Sequence, residues 1–297
     1  METQSARAAG LVDRLAYLLT LSRPRFWLYL AGPVALGVTA AATSVPELFA
    51  PTALGLFAYF LVPANVLLYG VNDVFDAEID AANPKKAGDR EARFTGERWV
   101  YAVVLGAGAL GLATFAAVPP LAWPWLGAFF LLAVEYSAPP LRFKTTPFLD
   151  SASNGLYILP GVVAFTAVAG RWPPLAAVSG GWLWAMGMHT FSAIPDIEPD
   201  RAAGIRTTAT VLGEERTYAY CGVAWLSAAV AFAFVDTRIS LVLLAYPVVV
   251  FGIYWSDVEV SEAYWWYPAL NTLVGAVLTM GALARIVPPS EVLPALG

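Results

Sequence analysis

Two acidic clusters carry the chemistry open to this sequence. Residues 72–80 read Asn-Asp-Val-Phe-Asp-Ala-Glu-Ile-Asp, and 120 positions later residues 192–200 read Ser-Ala-Ile-Pro-Asp-Ile-Glu-Pro-Asp. Asp76, Glu78 and Asp80 align with Asp196, Glu198 and Asp200. Each cluster ends a long uncharged apolar run, where carboxylates are costly unless something cationic needs them. On a helix, Asn72, Asp76 and Asp80 stand at i, i+4 and i+8 and share one stripe about 12 Å long. Asp73 lies on an adjacent face and can share an ion with Asp76. Asp196 and Asp200 repeat the i, i+4 pairing, while Pro195 and Pro199 interrupt the helix by removing backbone donors. Hard oxygen donors at this spacing suit Mg²⁺, which binds through one or two carboxylates plus the phosphates of a substrate. A solvated helix end, or an acidic loop after a proline-terminated helix, is the plain alternative for either cluster alone. Two matched clusters at equal depth argue against it.

Carboxylates alone repel phosphate, so cations must stand nearby. Candidates are Arg142 and Lys144, then Lys85, Lys86, Arg90 and Arg93 after the first cluster, and Arg201 and Arg206 after the second. Basic side chains beside acidic, metal-loading ones form a clamp for a diphosphate. The plain alternative for each is a charge that merely sets topology, and a ligand role is favoured for Arg142 and Lys144 over the others.

The elements that position these residues follow from composition. Of the 297 residues 59% are hydrophobic and 13% charged, against about 25% charged in soluble domains. Apolar runs of about twenty residues recur, which predicts an all-α polytopic membrane protein. Nine spans are expected, at 26–45, 50–71, 99–117, 120–138, 152–170, 174–194, 217–235, 239–256 and 264–285, around a central cavity with cytoplasmic cap segments. With the N-terminus cytoplasmic, fourteen of the 17 Lys and Arg fall on the cytoplasmic face, as the positive-inside rule requires. Both acidic clusters then face the cytoplasm and the C-terminus lies outside. Residues 1–22 read as an N-terminal cytoplasmic segment without a signal peptide. Residues 23–297 read as one membrane domain, with the 120-residue offset pointing to two pseudo-repeats. Cys221, the lone cysteine, excludes intrachain disulfides and reads as an apolar filler. His189, the lone histidine, reads as packed and hydrogen-bonded inside span six. Asn65 and Asn154 are expected to face the bundle interior. Trp265, Trp266 and Tyr267 read as an interfacial belt, and Gly32, Gly37 and Gly155 as sites of close helix packing.

With those motifs in hand, the chain resembles the UbiA-type intramembrane prenyltransferases over nearly its whole length. The resemblance rests on Asn-Asp-x-x-Asp-x-x-x-Asp after span two and a second Asp motif after span six. Tyr136-Ser137-Ala138-Pro139-Pro140-Leu141-Arg142-Phe143-Lys144 and Gly204-Ile205-Arg206-Thr207 also look like family segments. It implies that Asn72, Asp76, Asp80, Asp196 and Asp200 hold Mg²⁺ on an isoprenyl diphosphate, and that Arg142 and Lys144 contact the diphosphate. Two departures stand out. Ala193 occupies a position where many members have Asp, and Asn83-Pro84-Lys85-Lys86 replaces a common Arg-Pro pair. With Leu21-Ser22-Arg23-Pro24-Arg25-Phe26-Trp27, these features look closest to the lycopene elongase branch.

The reaction this implies begins with C–O cleavage in an allylic diphosphate, dimethylallyl diphosphate being the expected donor, and ends on a lipophilic acceptor, with lycopene favoured. The catalytic carboxylates are expected to be Asp76, Asp80, Asp196 and Asp200. Asp73 joins them and Asn72 as a metal ligand. Asn72, Lys144, Arg142, Arg93 and Arg206 are expected at the diphosphate. A quinone-precursor ring or a glyceryl phosphate are alternative acceptors, and an ion-coupled transporter is the alternative of another class. The bilayer is an expected partner, nucleic acid is not, and oligomeric state is not read from the sequence.

Overall fold

Prolines and glycines mark where the helices of this chain start and stop. A computed structural model describes residues 10–81, 94, 96–256 and 258–288, with the side chains of residues 78–81 excluded. Among the described residues the fold is helical throughout, without strands. The first half comprises α1 (Leu11–Leu21), α2 (Trp27–Ala41), α3 (Val45–Leu48), α4 (Pro51–Leu61), α5 (Pro63–Ala81), α6 (Arg98–Ala117) and α7 (Trp123–Glu135). The second comprises α8 (Leu149–Ala152), α9 (Leu159–Ala169), α10 (Leu175–Ser192), α11 (Ile197–Ala202), α12 (Thr208–Leu212), α13 (Glu214–Ala233), α14 (Thr237–Leu243), α15 (Ala245–Tyr254) and α16 (Val260–Leu283). Pro51, Pro63, Pro124 and Pro160 sit in first turns, where a missing N–H costs nothing. Gly170 closes α9 in the left-handed region, φ 64°.

The break between α4 and α5 shows how polar groups are kept satisfied at depth. Pro63 cannot continue the backbone ladder, which frees carbonyls in the last turn of α4. The buried Asn65 answers by donating Nδ2 to Phe60 O at 3.1 Å and Leu61 O at 3.0 Å. In hydrocarbon each unsatisfied group would cost several kcal/mol, so satisfying two carbonyls offsets the burial of an amide whose own Oδ1 finds no donor among the described residues.

Among the described residues four stretches are long and apolar enough to cross a membrane: Val45–Ala77, Arg98–Ala117, Leu149–Ala169 and Thr237–Tyr254. The outer surface is correspondingly greasy. Leu105, Leu175, Val223, Phe234 and Val248 are exposed, which a water-facing protein would avoid on this scale.

Among the described residues three cores pack separately. One joins α2, α4, α5, α7 and α9 around Leu30, Phe60, Leu126, Phe129 and Leu159. A second joins α10, α13, α15 and α16 around Phe191, Trp225, Tyr246 and Tyr267. A smaller third joins α1, α5 and α6 around Leu21, Leu67 and Val104. Since lipid is as apolar as leucine, close approach rather than hydrophobicity drives such contacts. At the α2–α9 crossing a Cβ on Gly37 would collide with the Gly161 carbonyl, and one on Gly161 would lie 2.6 Å from the Pro33 carbonyl. Gly155 is packed equally tightly under the Trp182 ring.

Two sequence expectations are corrected. Gly32 faces open space, with no atom within 4 Å of where a Cβ would stand, so it permits no close contact. Tyr267 is buried against Phe191 and Trp225, whereas Trp266 is exposed. Three consecutive residues on a helix are spread about 100° apart, so they cannot form one belt.

Candidate active site

α5 remains helical through the first acidic cluster, which sets Asn72 and Asp76 one turn apart on the same face. Asp76 is buried. Arg142 Nη2 donates to its Oδ1 at 3.3 Å, and Lys144 Nζ donates to its Oδ2. Lys144 also reaches Asn72 Oδ1 at 3.4 Å, and Ser137 Oγ donates to the same oxygen at 2.8 Å. All three partners come from the segment after α7, which folds over α5. Its curvature is fixed by the bond from Lys144 N to Tyr136 O, 3.1 Å, and by left-handed backbone at Arg142, φ 42°. Arg142 Nε is buried and finds no acceptor among the described residues.

A third cation arrives from the opposite side. Arg23, in the turn between α1 and α2, is left-handed at φ 49° and donates Nη2 to Asp73 Oδ1 at 3.0 Å. Its guanidinium carbon stands 4.5 Å from the Tyr69 ring centroid. From the sequence Arg23 reads as a cytoplasmic charge and as part of the Leu21–Trp27 stretch that carries the resemblance, with no contact assigned to it. The signal available was a lone Arg-Pro immediately before an apolar run, next to a second arginine. Arg25 turns the other way, onto the Trp265 ring at 3.8 Å and the Tyr264 and Trp265 carbonyls at 3.2 and 3.1 Å.

The second cluster follows a break. α10 ends at Ser192, a 3-10 turn covers Ile194–Asp196, and α11 carries Asp200. Pro195 breaks the regular helix here, whereas Pro199, expected to interrupt it too, sits in the first turn of α11, where its missing N–H costs nothing. Asp196 and Asp200 are half-buried, and Asp196 lies within Coulombic reach of Tyr264. The structure does not bring the basic residues after this cluster onto the first one. Arg201 pairs with Glu198 at 2.8 Å and donates to Thr210 O at 2.9 and 3.2 Å, while Arg206 is exposed. The loop beyond is anchored by a residue the sequence did not single out. Asp150, 1% exposed, accepts from Thr208 N at 2.9 Å and Thr208 Oγ1 at 2.5 Å.

Between the first two of the three cores lies a cavity of about 220 Å³. Asn72, four residues before Asp76, and Ser192, four before Asp196, both line it. So do Tyr69 and His189, and Leu68 and Met188, each pair again 120 residues apart. The two clusters thus flank one hollow, with Arg23 in its wall and Asn154 facing inward. The remaining wall is aromatic and aliphatic, including Phe26, Tyr157 and Trp184.

The donor set fits a hard divalent cation: carboxylates, one amide oxygen and an orphaned guanidinium N–H beside them for an anion. Among the described residues no three His, Cys, Asp or Glu side chains converge tightly enough to hold a metal alone. That is the expected situation for Mg²⁺, which a substrate's phosphates complete. Arg93, Lys85, Lys86 and Arg90, and the Asp80 side chain, lie outside the described residues.

The sequence profile of the UbiA prenyltransferase family matches residues 30–267. The lycopene elongase/hydratase of Haloferax volcanii is 66% identical over 278 residues, 94% of this chain and 92% of that protein. The lycopene elongase/hydratase of Halobacterium salinarum is 62% identical, covering 91% of this chain and 98% of the relative. Among solved structures, a UbiA homolog from Archaeoglobus fulgidus bound to GPP and Mg²⁺ superposes with a TM-score of 0.75 at 22% identity. The match covers 91% of this chain and 99% of that one.

Proposed function

The chain belongs to the UbiA prenyltransferase family and is a prenyltransferase, and we propose that it transfers a dimethylallyl group from its diphosphate to lycopene, lengthening the carotenoid. The observation that carries this reading is the meeting of Asn72, Asp76, Arg142 and Lys144, with Asn72 in the wall of a cavity lined largely by aromatic and aliphatic side chains. Strong identity to two lycopene elongase/hydratases supports the acceptor.

Asn72, Asp73, Asp76, Asp80, Asp196 and Asp200 would hold Mg²⁺ with the diphosphate. When bound, the ion supplies Lewis-acid stabilisation of the charge that grows on the leaving group. Lys144 and Arg142 transfer from Asp76 to the diphosphate as substrate arrives, and Arg142 Nε offers a donor already desolvated. Preorganised cations in a dry site stabilise the developing anion more than the same charges in water. Arg206 and Arg93 would complete the contacts to the diphosphate. The aromatic and aliphatic walls keep water from the allylic cation while the π bond of the acceptor attacks it.

We place nine spans across the bilayer, with α4 and α5 forming the second and α8 and α9 within the fifth. The N-terminus and both clusters face the cytoplasm and the C-terminus lies outside. Residues 1–22 form a cytoplasmic segment, and residues 23–297 one domain of two pseudo-repeats.

The test is incubation of membranes containing the protein with labelled dimethylallyl diphosphate and lycopene, a quinone-precursor ring or a glyceryl phosphate. Label is expected in lycopene-derived product, dependent on Mg²⁺ and abolished by EDTA. Label confined to the ring or the glyceryl product would overturn the acceptor assignment.

A further inference from the structure

Prenyl transfer to an alkene leaves a proton to be disposed of, and the cavity holds one pair of side chains suited to it. After the C–O bond of the diphosphate breaks, its electron pair stays on the leaving oxygen. An acceptor π pair then forms the new C–C bond and leaves a cation on the neighbouring carbon. That cation is quenched by loss of a C–H proton or by a water lone pair, and either route releases one proton. Among the described residues no carboxylate lines the cavity; its titratable lining consists of Arg23, five tyrosines and His189. A guanidinium cannot accept a proton, and an isolated phenol is too weak a base at neutral pH. Neutral imidazole is the side chain matched to the task.

His189 is also placed for it. Its Nε2 lies 3.5 Å from the Tyr136 hydroxyl, with the two rings edge to face at 5.9 Å between centroids. Asn154, beside them in the cavity wall, is fixed by donating to Asp150 O at 2.6 Å. The relay needs the Tyr136 hydroxyl to donate to Nε2, with the ring proton of His189 on Nδ1. All three residues line the cavity, and α10 places His189 two turns before the second acidic cluster.

We propose that Tyr136 and His189 form the proton relay that ends the reaction: Tyr136 Oη takes the proton released as the acceptor-derived cation is quenched, while its own hydrogen passes to His189 Nε2. The inference rests on the prenyl-transfer reading above. The separation of 3.5 Å is long for a neutral hydrogen bond and shortens as charge develops on the imidazole.

The experiment measures, in one assay with labelled dimethylallyl diphosphate and lycopene, the ratio of neutral prenylated product to diphosphate released. In His189→Gln and Tyr136→Phe that ratio is expected to fall about tenfold or more, with label diverted to the free C5 alcohol. The double variant should be no worse than the poorer single one, because the two act as a unit. Unchanged ratios in both single variants, or full additivity in the double, would overturn the relay. If His189→Gln fails to assemble by size exclusion in detergent, the ratio in Tyr136→Phe decides alone. A parent enzyme that labels no acceptor would overturn the transfer reading, and the relay with it.

Discussion

Arg23 and Arg142, from opposite sides of the site, both hold left-handed backbone and both deliver a guanidinium to α5, at Asp73 and Asp76 respectively. Outside glycine such a conformation costs about 1–3 kcal/mol and survives where the surroundings over-determine it. Here what is held is the direction of a charge.

This separates backbone from charge at Arg142. Arg142→Gly should fold with a thermal midpoint above that of Arg142→Ala, by about 1 kcal/mol in stability, because glycine accepts φ 42° without strain. Both variants should raise KM for the allylic diphosphate about tenfold or more. Steady-state kinetics alongside thermal unfolding in detergent checks the pair, and equal stability of the two would remove the strain argument.

Asp76→Ala and Asp196→Ala should each lower turnover at least about a hundredfold while the protein still inserts in the membrane. The two arise from different helices, so parallel loss would tie both clusters to one substrate. Membrane fractionation followed by a diphosphate-release assay measures this, and wild-type turnover in either variant defeats the two-cluster site. Asp76→Ala also removes one carboxylate partner of Lys144, whose side chain is 14% exposed, so some loss of stability is expected there.

Asp150 offers a test of positioning without contact. Thr208→Val removes the hydroxyl donor to Asp150 and leaves the volume nearly unchanged, at a cost of about 1–3 kcal/mol for the stranded buried acceptor. The loop at 203–207 should then be cut faster by protease, with kcat reduced more than the KM for lycopene. Parental cleavage rates would show that the bond does not hold this loop.

The α2–α9 crossing predicts a contrast between glycines. Gly161→Leu should destabilise by about 1–3 kcal/mol or block assembly, since the carbonyl of Pro33 occupies the needed space. Gly32→Ala, with open space around it, should be neutral or stabilising by up to about 1 kcal/mol. Size-exclusion profiles and thermal midpoints of the two variants decide it.

The sequence reveals most where chemistry is local. Asn72 and Asp76 are legible because helical spacing alone puts them on one face, and Lys144 because a basic residue next to a span has few plain uses. Arg23 is not legible, because its role depends on a single left-handed turn that swings the segment onto α5. Asp150 escapes notice for the opposite reason: it has no acidic neighbour, and its partner Thr208 lies 58 positions away with no periodic relation to it. Tyr267 is misread because composition suggests a belt while helical geometry sends one residue in three inward. His189, read as packing, stands in the cavity wall beside Tyr136, a pairing across 53 positions that no spacing rule encodes.

Arg25 ties the stretch before α2 to the start of α16 through two carbonyls and the face of Trp265, and Tyr264 on that same helix forms part of the cavity wall. The hollow is therefore bounded by both early and late parts of the chain. During synthesis it stays open on one side until α16 has been threaded and clasped, so a nascent chain would have no sealed place in which to ionise its substrate.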